Sequence, residues 1–153
     1  MDNKARTTND DFSMDLQEQL CFAVYSTMLG LNRAYRPLLD RLELTYPQYL
    51  VMLVLWKRDE LIVSEISQQL FLDTPTLTPL LKRLEQRGLV TRRRSTRDER
   101  QVIIGLTEEG RALQQAARDV PNCIAAAMKL PGAEIGTLRD HLVALRGNLF
   151  SQD

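Results

Sequence analysis

The stretch from Leu61 to Thr107 constrains the fold more than any other part of the chain, because helical spacing gives way there to strand spacing under a dense positive charge. Ile66 and Leu70 stand four apart, which predicts a helix from Val63 to Leu70. Thr74, Pro75 and Thr76 then offer a hydroxyl cap beside a proline in a first helical turn. Leu77, Leu80, Leu81 and Leu84 follow at steps of three and four, so one face is expected to be buried. The opposite face carries Thr76, Thr78, Lys82 and Arg83, and Gly88 supplies the left-handed residue that commonly stops a helix. Strands are expected from Leu89 to Arg93 and from Gln101 to Leu106, around a polar tip from Ser95 to Arg100. Two helices and a basic hairpin predict a winged helix-turn-helix, mainly α with a small β-wing, whose second helix enters the major groove of double-stranded DNA.

Charge supports that reading through its placement. From Lys82 to Arg100 eight basic residues face three acidic ones, a local excess of +5 in a chain whose formal net charge is zero. Such a cluster is a footprint for phosphates, although an arginine-rich hairpin without a partner is the plainer alternative. With 153 residues, 44% hydrophobic and 26% charged, a single soluble domain is expected. The first fifteen residues lack the apolar core of a signal peptide, and the apolar run from Tyr49 to Trp56 is too short to span a bilayer. A cytoplasmic protein with no membrane contact is expected, in a compartment where two cysteines are either inert small hydrophobes or redox-active. A single histidine and widely spaced cysteines argue against a metal site, and no cofactor is expected.

Residues 1 to about 12 are polar and expected to be mobile, with Ser13 or Asp15 as the first cap. Leu16, Leu20, Val24, Thr27, Leu31 and Tyr35 recur at helical spacing, and Pro37 is expected to end or kink that helix. Thr45 and Gln48 form a capping-box pattern that opens a core helix through Trp56. Thr107-Glu108-Glu109 starts another helix, expected to run past Leu113 and Ala117, bend near Pro121 and reach Met128. Beyond Pro131-Gly132, Ile135, Leu138, Leu142, Leu145 and Leu149 form a narrow seam suited to a partner helix. Helices in 13–44 and 107–150 are thus expected to pair two copies around a DNA-binding core, 45–106, of one domain spanning 1–153. A homodimer matches a pseudo-palindromic operator, because two-fold symmetric proteins read two half-sites.

The run Asp98-Glu99-Arg100 through Leu106-Thr107-Glu108-Glu109-Gly110 resembles the D-x-R…L-T-x-x-G pattern of the MarR family of winged-helix regulators. Leu20-Cys21-Phe22-Ala23, Ala34-Tyr35-Arg36-Pro37-Leu38-Leu39, the run Leu44 to Trp56 and the run Leu77 to Glu85 resemble its organic-hydroperoxide-sensing repressors. The resemblance covers roughly 13–115, and departs from the pattern at Thr74-Pro75, where serine and glycine are expected. It implies a homodimeric repressor, not an enzyme, that releases its operator when an organic hydroperoxide oxidises Cys21. It also implies that Tyr35 and Tyr46 hydrogen-bond that thiol, and that Cys123 of the other subunit closes a disulfide with it.

A sensing thiol reacts as the thiolate, which phenolic donors stabilise. Tyr35 lies fourteen residues beyond Cys21, about 21 Å along a straight helix, so the donor must come from a partner chain or a fold-back. Phe22, Tyr25 and Met28 would give the thiol apolar surroundings suited to organic peroxides. On the DNA side, Thr76, Thr78, Lys82 and Arg83 are the candidate groove residues, with Pro79 able only to pack. Arg92, Arg93, Arg94, Arg97 and Arg100 are candidates for phosphate or minor-groove contact, with Asp98 orienting Arg100. Two rivals remain: a thiol peroxidase, which leaves the basic wing unexplained, and a MarR-type regulator of a non-covalent phenolic ligand.

Overall fold

The structure, a computed structural model, describes residues 13–151. The expected mobility of residues 1–12 lies outside that range. Asp15 caps a short 3-10 turn, Leu16–Glu18, by accepting the Gln17 amide at 2.9 Å. Helix α1 then begins at Leu20, later than the leucine spacing suggested, and runs to Asp40. It continues through Pro37, which neither ends nor breaks it; the position is exposed and lies in the final turns, where a lost amide donor costs little. Thr45 and Gln48 form the expected reciprocal box, with the Thr45 amide donating to Gln48 at 2.9 Å, and open α2, Tyr46–Lys57. Val51, Met52 and Leu55 of α2 are fully buried, but Leu53 is exposed, so the helix is not enclosed all round.

The segment expected to form the winged helix follows its plan with one added strand. Strand β1, Leu61–Ile62, leads directly into α3, Val63–Leu70, whose Glu65 carboxylate accepts the Ile62 amide. Phe71 takes a left-handed conformation (φ 55°) and turns the chain into α4, Thr74–Gln86. The cap of α4 is Asp73, not a threonine hydroxyl: its carboxylate accepts the Thr76 amide at 2.8 Å, and Pro75 sits within the first turn. Leu77, Leu81 and Leu84 are buried against Ile66 and Met52, while Leu80 is only partly covered. Gly88 (φ 74°) closes α4, with its amide donating to the Glu85 carbonyl and the Leu89 amide to the Leu84 carbonyl.

Strands β2, Val90–Arg94, and β3, Val102–Leu106, form the wing as an antiparallel pair with Arg92 opposite Ile104. β1 pairs with the other edge of β3, giving the order β1-β3-β2. Thr107 caps α5, Glu108–Ala116, through the Gly110 amide at 3.0 Å. A single helix bent at Pro121 is not observed. The chain turns over Ala117–Asp119, and Pro121 lies in the first turn of a separate helix α6, Val120–Met128, where its missing amide costs nothing. Lys129 in a left-handed conformation and Pro131 separate α6 from α7, Gly132–Phe150.

Asp59 ties these parts together. Its carboxylate accepts the amides of Leu106 at 2.8 Å and Glu60 at 2.7 Å, and pairs with Arg111 at 3.0 Å. Burial opposes ionisation, but the two amides and the arginine outweigh it and hold the carboxyl below its ordinary value. Its stabilising contribution is therefore complete above the unfolded value, about 3.9, and fades as pH falls through the lower folded value. Asp59→Asn is expected to cost about 1 kcal/mol at pH 7, after allowance for its partial exposure. Urea unfolding of both proteins checks this, because the gap must narrow at acidic pH.

Candidate nucleic-acid interface and thiol site

The outer face of α4 presents Thr76, Pro79, Lys82 and Arg83 as exposed side chains, with Thr78 half-buried. The Thr78 hydroxyl donates to the Thr74 carbonyl at 2.8 Å. Wing residues Arg93, Arg94, Arg97 and Arg100 are exposed as well. The tip is shaped by short polar contacts: the Ser95 hydroxyl accepts the Arg97 amide at 3.2 Å, and the Ser95 amide reaches the Gln101 carbonyl at 2.9 Å. Asp98 accepts both the backbone amide and the Nε of Arg100, at 3.1 and 3.2 Å, so the acid does hold that arginine.

Arg92 differs from the other wing arginines. Its side chain is 24% exposed and lies 3.9 Å from Glu85 of α4, with its Nε buried and unpartnered among the described residues. It braces the wing against α4. Arg93 is drawn toward Glu60, 3.2 Å away, which leaves Arg94 and Arg97 as the freest cations of the hairpin. Glu85 and Glu60 had no role in the sequence reading, since nothing in their spacing shows which strand residue they will meet.

The thiol residues are distributed differently. Cys21 is exposed in the first turn of α1, and Cys123 is exposed on α6. Tyr35 and Tyr46 are brought together, with ring centroids 4.7 Å apart, near the far end of α1. Within one chain, then, the structure joins the tyrosines to each other and leaves Cys21 more than three helical turns away. Burial, then the nearness of Tyr46 and Tyr49, then a hydrogen bond with Tyr46 push Tyr35 up to about 12. Burial also raises Tyr46, whereas the same hydrogen bond lowers it.

Sequence reasoning missed two members of this cluster. Tyr49, 3% exposed, packs 5.9 Å from Tyr35 and 6.4 Å from Tyr46. Trp56 stands edge-on to Tyr49 at 6.5 Å and donates its indole N–H to the Gly110 carbonyl at 2.8 Å. The i, i+3 spacing of Tyr46 and Tyr49 was the available signal.

The α1 face is graded. Leu31 and Tyr35 pack against the core, while Leu20, Val24, Tyr25 and Leu29 are exposed. The seam of α7 is likewise open at Leu138, Leu142 and Leu149. An apolar groove of ≈ 790 Å³ runs between α1, α6 and α7, lined by Val24, Leu31, Ile124 and Leu142 among others. At the end of α7, Phe150 meets Phe71 with centroids 4.9 Å apart, and the Arg146 guanidinium lies 4.2 Å over the Phe71 ring. No helix among the described residues is long and apolar enough to cross a membrane.

A helix pair followed by a basic two-stranded wing, between N- and C-terminal helices, defines a winged-helix transcriptional regulator, and comparison with known proteins agrees. Residues 33–117 match the family model described as Transcriptional regulator SarA/Rot. The organic hydroperoxide resistance transcriptional regulator of Bacillus subtilis (strain 168) is 45% identical over 140 residues, covering 92% of this chain and 95% of that protein. The HTH-type transcriptional regulator TtmR of Methylorubrum extorquens (strain PA1) is 48% identical over 145 residues, covering 95% of this chain and 74% of its own. Reduced AbfR bound to DNA superposes with a TM-score of 0.75 at 37% identity, over 89% of this chain and 95% of that one. Disulfide-formed AbfR superposes with a TM-score of 0.62 at 38% identity, over 84% and 92%, and AbfR is a protein of Staphylococcus epidermidis. The chain belongs to the MarR family of winged helix-turn-helix transcriptional regulators. It is a DNA-binding regulator, and its relatives carry names of regulators rather than of enzymes.

Proposed function

We propose that the protein is a homodimeric repressor that senses organic hydroperoxides through Cys21 and then releases its operator. The observation that carries this reading is the separation of an exposed thiol from a close tyrosine pair, on a chain whose connecting helix carries exposed apolar side chains. A two-fold mate packed along α1 and α7 supplies to Cys21 the Tyr35 and Tyr46 hydroxyls that its own chain holds too far away. Leaving Leu20, Val24, Leu138, Leu142 and Leu149 in water forgoes on the order of 10 kcal/mol of burial, comparable to the whole stability of a domain. The apolar groove therefore takes a second copy of the chain.

The chemistry balances without a cofactor. The Cys21 thiolate attacks the outer peroxide oxygen, the O–O bond breaks, and the alkoxide leaves and takes a proton to become an alcohol. The sulfenic acid then condenses with the Cys123 thiol of the other subunit, forming the disulfide and releasing water. The similarity to AbfR, which has been solved reduced on DNA and in a disulfide-formed state, supports a regulator with a reduced and a disulfide form. Release by an organic hydroperoxide, reversed by dithiothreitol, tests the reading. A peroxidase instead turns over substrate without losing DNA, and a phenol-responsive regulator releases DNA with its thiols intact.

On the DNA side, Thr76, Thr78, Lys82 and Arg83 read base edges, Pro79 packs, and Arg93, Arg94, Arg97 and Arg100 hold phosphates or a narrow minor groove. Arg92 contributes through its hold on Glu85. Replacing Arg94 or Arg97 by Ala is expected to weaken binding on all sequences alike and to reduce the log–log salt slope by about one unit per lost phosphate contact. Arg83→Ala is expected to alter which base is preferred, at about 1–3 kcal/mol. Salt-dependent anisotropy on operator and scrambled duplexes separates the two effects.

A further inference from the structure

We infer that Tyr49 and Trp56 are positioning residues that carry the state of the Tyr35–Tyr46 pair to the junction of the wing with α5. The inference rests on the proposed thiol chemistry and adds how a change at the tyrosines reaches the DNA-binding surface.

The contacts form an unbroken series. Tyr49 is buried between the tyrosine pair and Trp56, one helical turn from Tyr46 and two from Trp56 on the same helix. Trp56 leaves α2 through its indole N–H, which ends on the Gly110 carbonyl 54 residues away. Gly110 is the most tightly enclosed of the glycines: a methyl there would stand 2.1 Å from the Leu89 carbonyl oxygen. That Leu89 oxygen in turn accepts the Thr107 amide at 3.1 Å, and the Thr107 hydroxyl donates to the Gly88 carbonyl at 2.6 Å. Gly88 and Leu89 link the end of α4 to the first strand of the wing.

A junction with no free space transmits displacement, because closely packed groups move together or separate altogether. When Cys21 chemistry changes the partner of the Tyr35 and Tyr46 hydroxyls, the pair repacks and Tyr49, packed on both rings, is the first side chain it pushes. Trp56 converts that push into a pull on the first turn of α5. The recognition helix and wing then move as one piece, since α5, β3 and the end of α4 share the Gly110–Leu89 contact. Spatial adjacency alone would not establish this, so the test must read coupling.

Wild type, Trp56→Phe and Tyr49→Leu are to be compared, with Cys21 oxidation by cumene hydroperoxide followed by mass spectrometry. Operator affinity is measured before and after full oxidation on the duplex mapped by footprinting. Trp56→Phe keeps a ring but loses the donor to Gly110. It is expected to oxidise at the wild-type rate and bind operator when reduced. Once oxidised, it is expected to lose no more than about threefold in affinity where wild type loses about 5–150-fold, the usual span of coupled sites. A purely structural role would lower the affinity and stability of both redox forms alike, and that outcome overturns the inference. So does a Trp56→Phe protein that releases DNA as fully as wild type. Trp56 is the sole tryptophan of the chain, so wild-type emission gives a second reading that needs no substitution there. Emission must change on oxidation and stay constant in Cys21→Ser; release with unchanged emission also overturns the inference. Wild type that keeps its DNA after complete Cys21 oxidation removes the sensing reading itself, a result distinct from those above.

Discussion

Cys21→Ser is expected to bind operator as tightly as wild type and to ignore organic hydroperoxide at doses that release wild type completely. Cys21 is exposed, makes no core contact and sits in a first helical turn, so serine there leaves the fold intact. A serine hydroxyl does not ionise near neutral pH and cannot attack the peroxide oxygen. Tyr35→Phe or Tyr46→Phe removes one of the two proposed donors to the thiolate and is expected to slow the response rather than abolish it. Cys123→Ser is expected to respond but to stop at a sulfenic acid or a mixed disulfide. On a non-reducing gel, oxidised wild type then runs as a dimer that dithiothreitol dissolves, and Cys123→Ser runs as a monomer. The mechanical demand is specific, since a disulfide needs α-carbons within about 7 Å while the paired recognition helices must stay about one DNA turn, ~34 Å, apart. A Cys21→Ser protein that still releases DNA on treatment would end the thiol account.

The largest stability effect is expected at Gly110. A β-carbon there would meet the Leu89 carbonyl oxygen at 2.1 Å, its carbon at 3.1 Å and Leu106 Cδ2 at 3.2 Å. Two of these are backbone atoms in a strand junction, so no side-chain rotation relieves the clash. Gly110→Ala is therefore expected to cost about 3 kcal/mol, the upper range for overpacking, and to lower the Tm by roughly 6–12 °C. Gly147→Ala is the matched control. Nothing lies within 4 Å of that position, and removing a helical glycine there gains up to about 1 kcal/mol. Calorimetry on both variants decides the point: equal Tm values would show that the junction has slack.

These two sites also mark what a reader of the sequence could and could not see. The leucine spacing of α3 and α4, the Thr45–Gln48 box and Gly88 act within one or two turns, and each appears where it was expected. Pro121 was legible as a discontinuity but not as a helix start, because proline in a first turn and proline at a kink leave the same local trace. The cap of α4 went to Asp73 because a carboxylate one residue earlier competes successfully with the threonines for the same amide. β1 is two residues long, too short to show alternation, and exists only because β3 offers it an edge. Trp56 reaching Gly110 and Arg92 reaching Glu85 are long-range outcomes of packing, invisible to any spacing rule. The Cys21–tyrosine relation is harder still, since its two halves are proposed to lie on different chains.

The uncovered apolar face of α1 and α7 has a consequence for how the regulator finds its target. One recognition helix reads only a handful of base pairs, a word that recurs by chance throughout a genome offering ~10⁶ or more competing sites. In the proposed homodimer, pairing two copies through that face makes a second word obligatory at a set distance and orientation. Address length then doubles without one additional base-reading residue. Helices outside the proposed base-reading surface would thus hold much of the information by which one promoter is told from the rest.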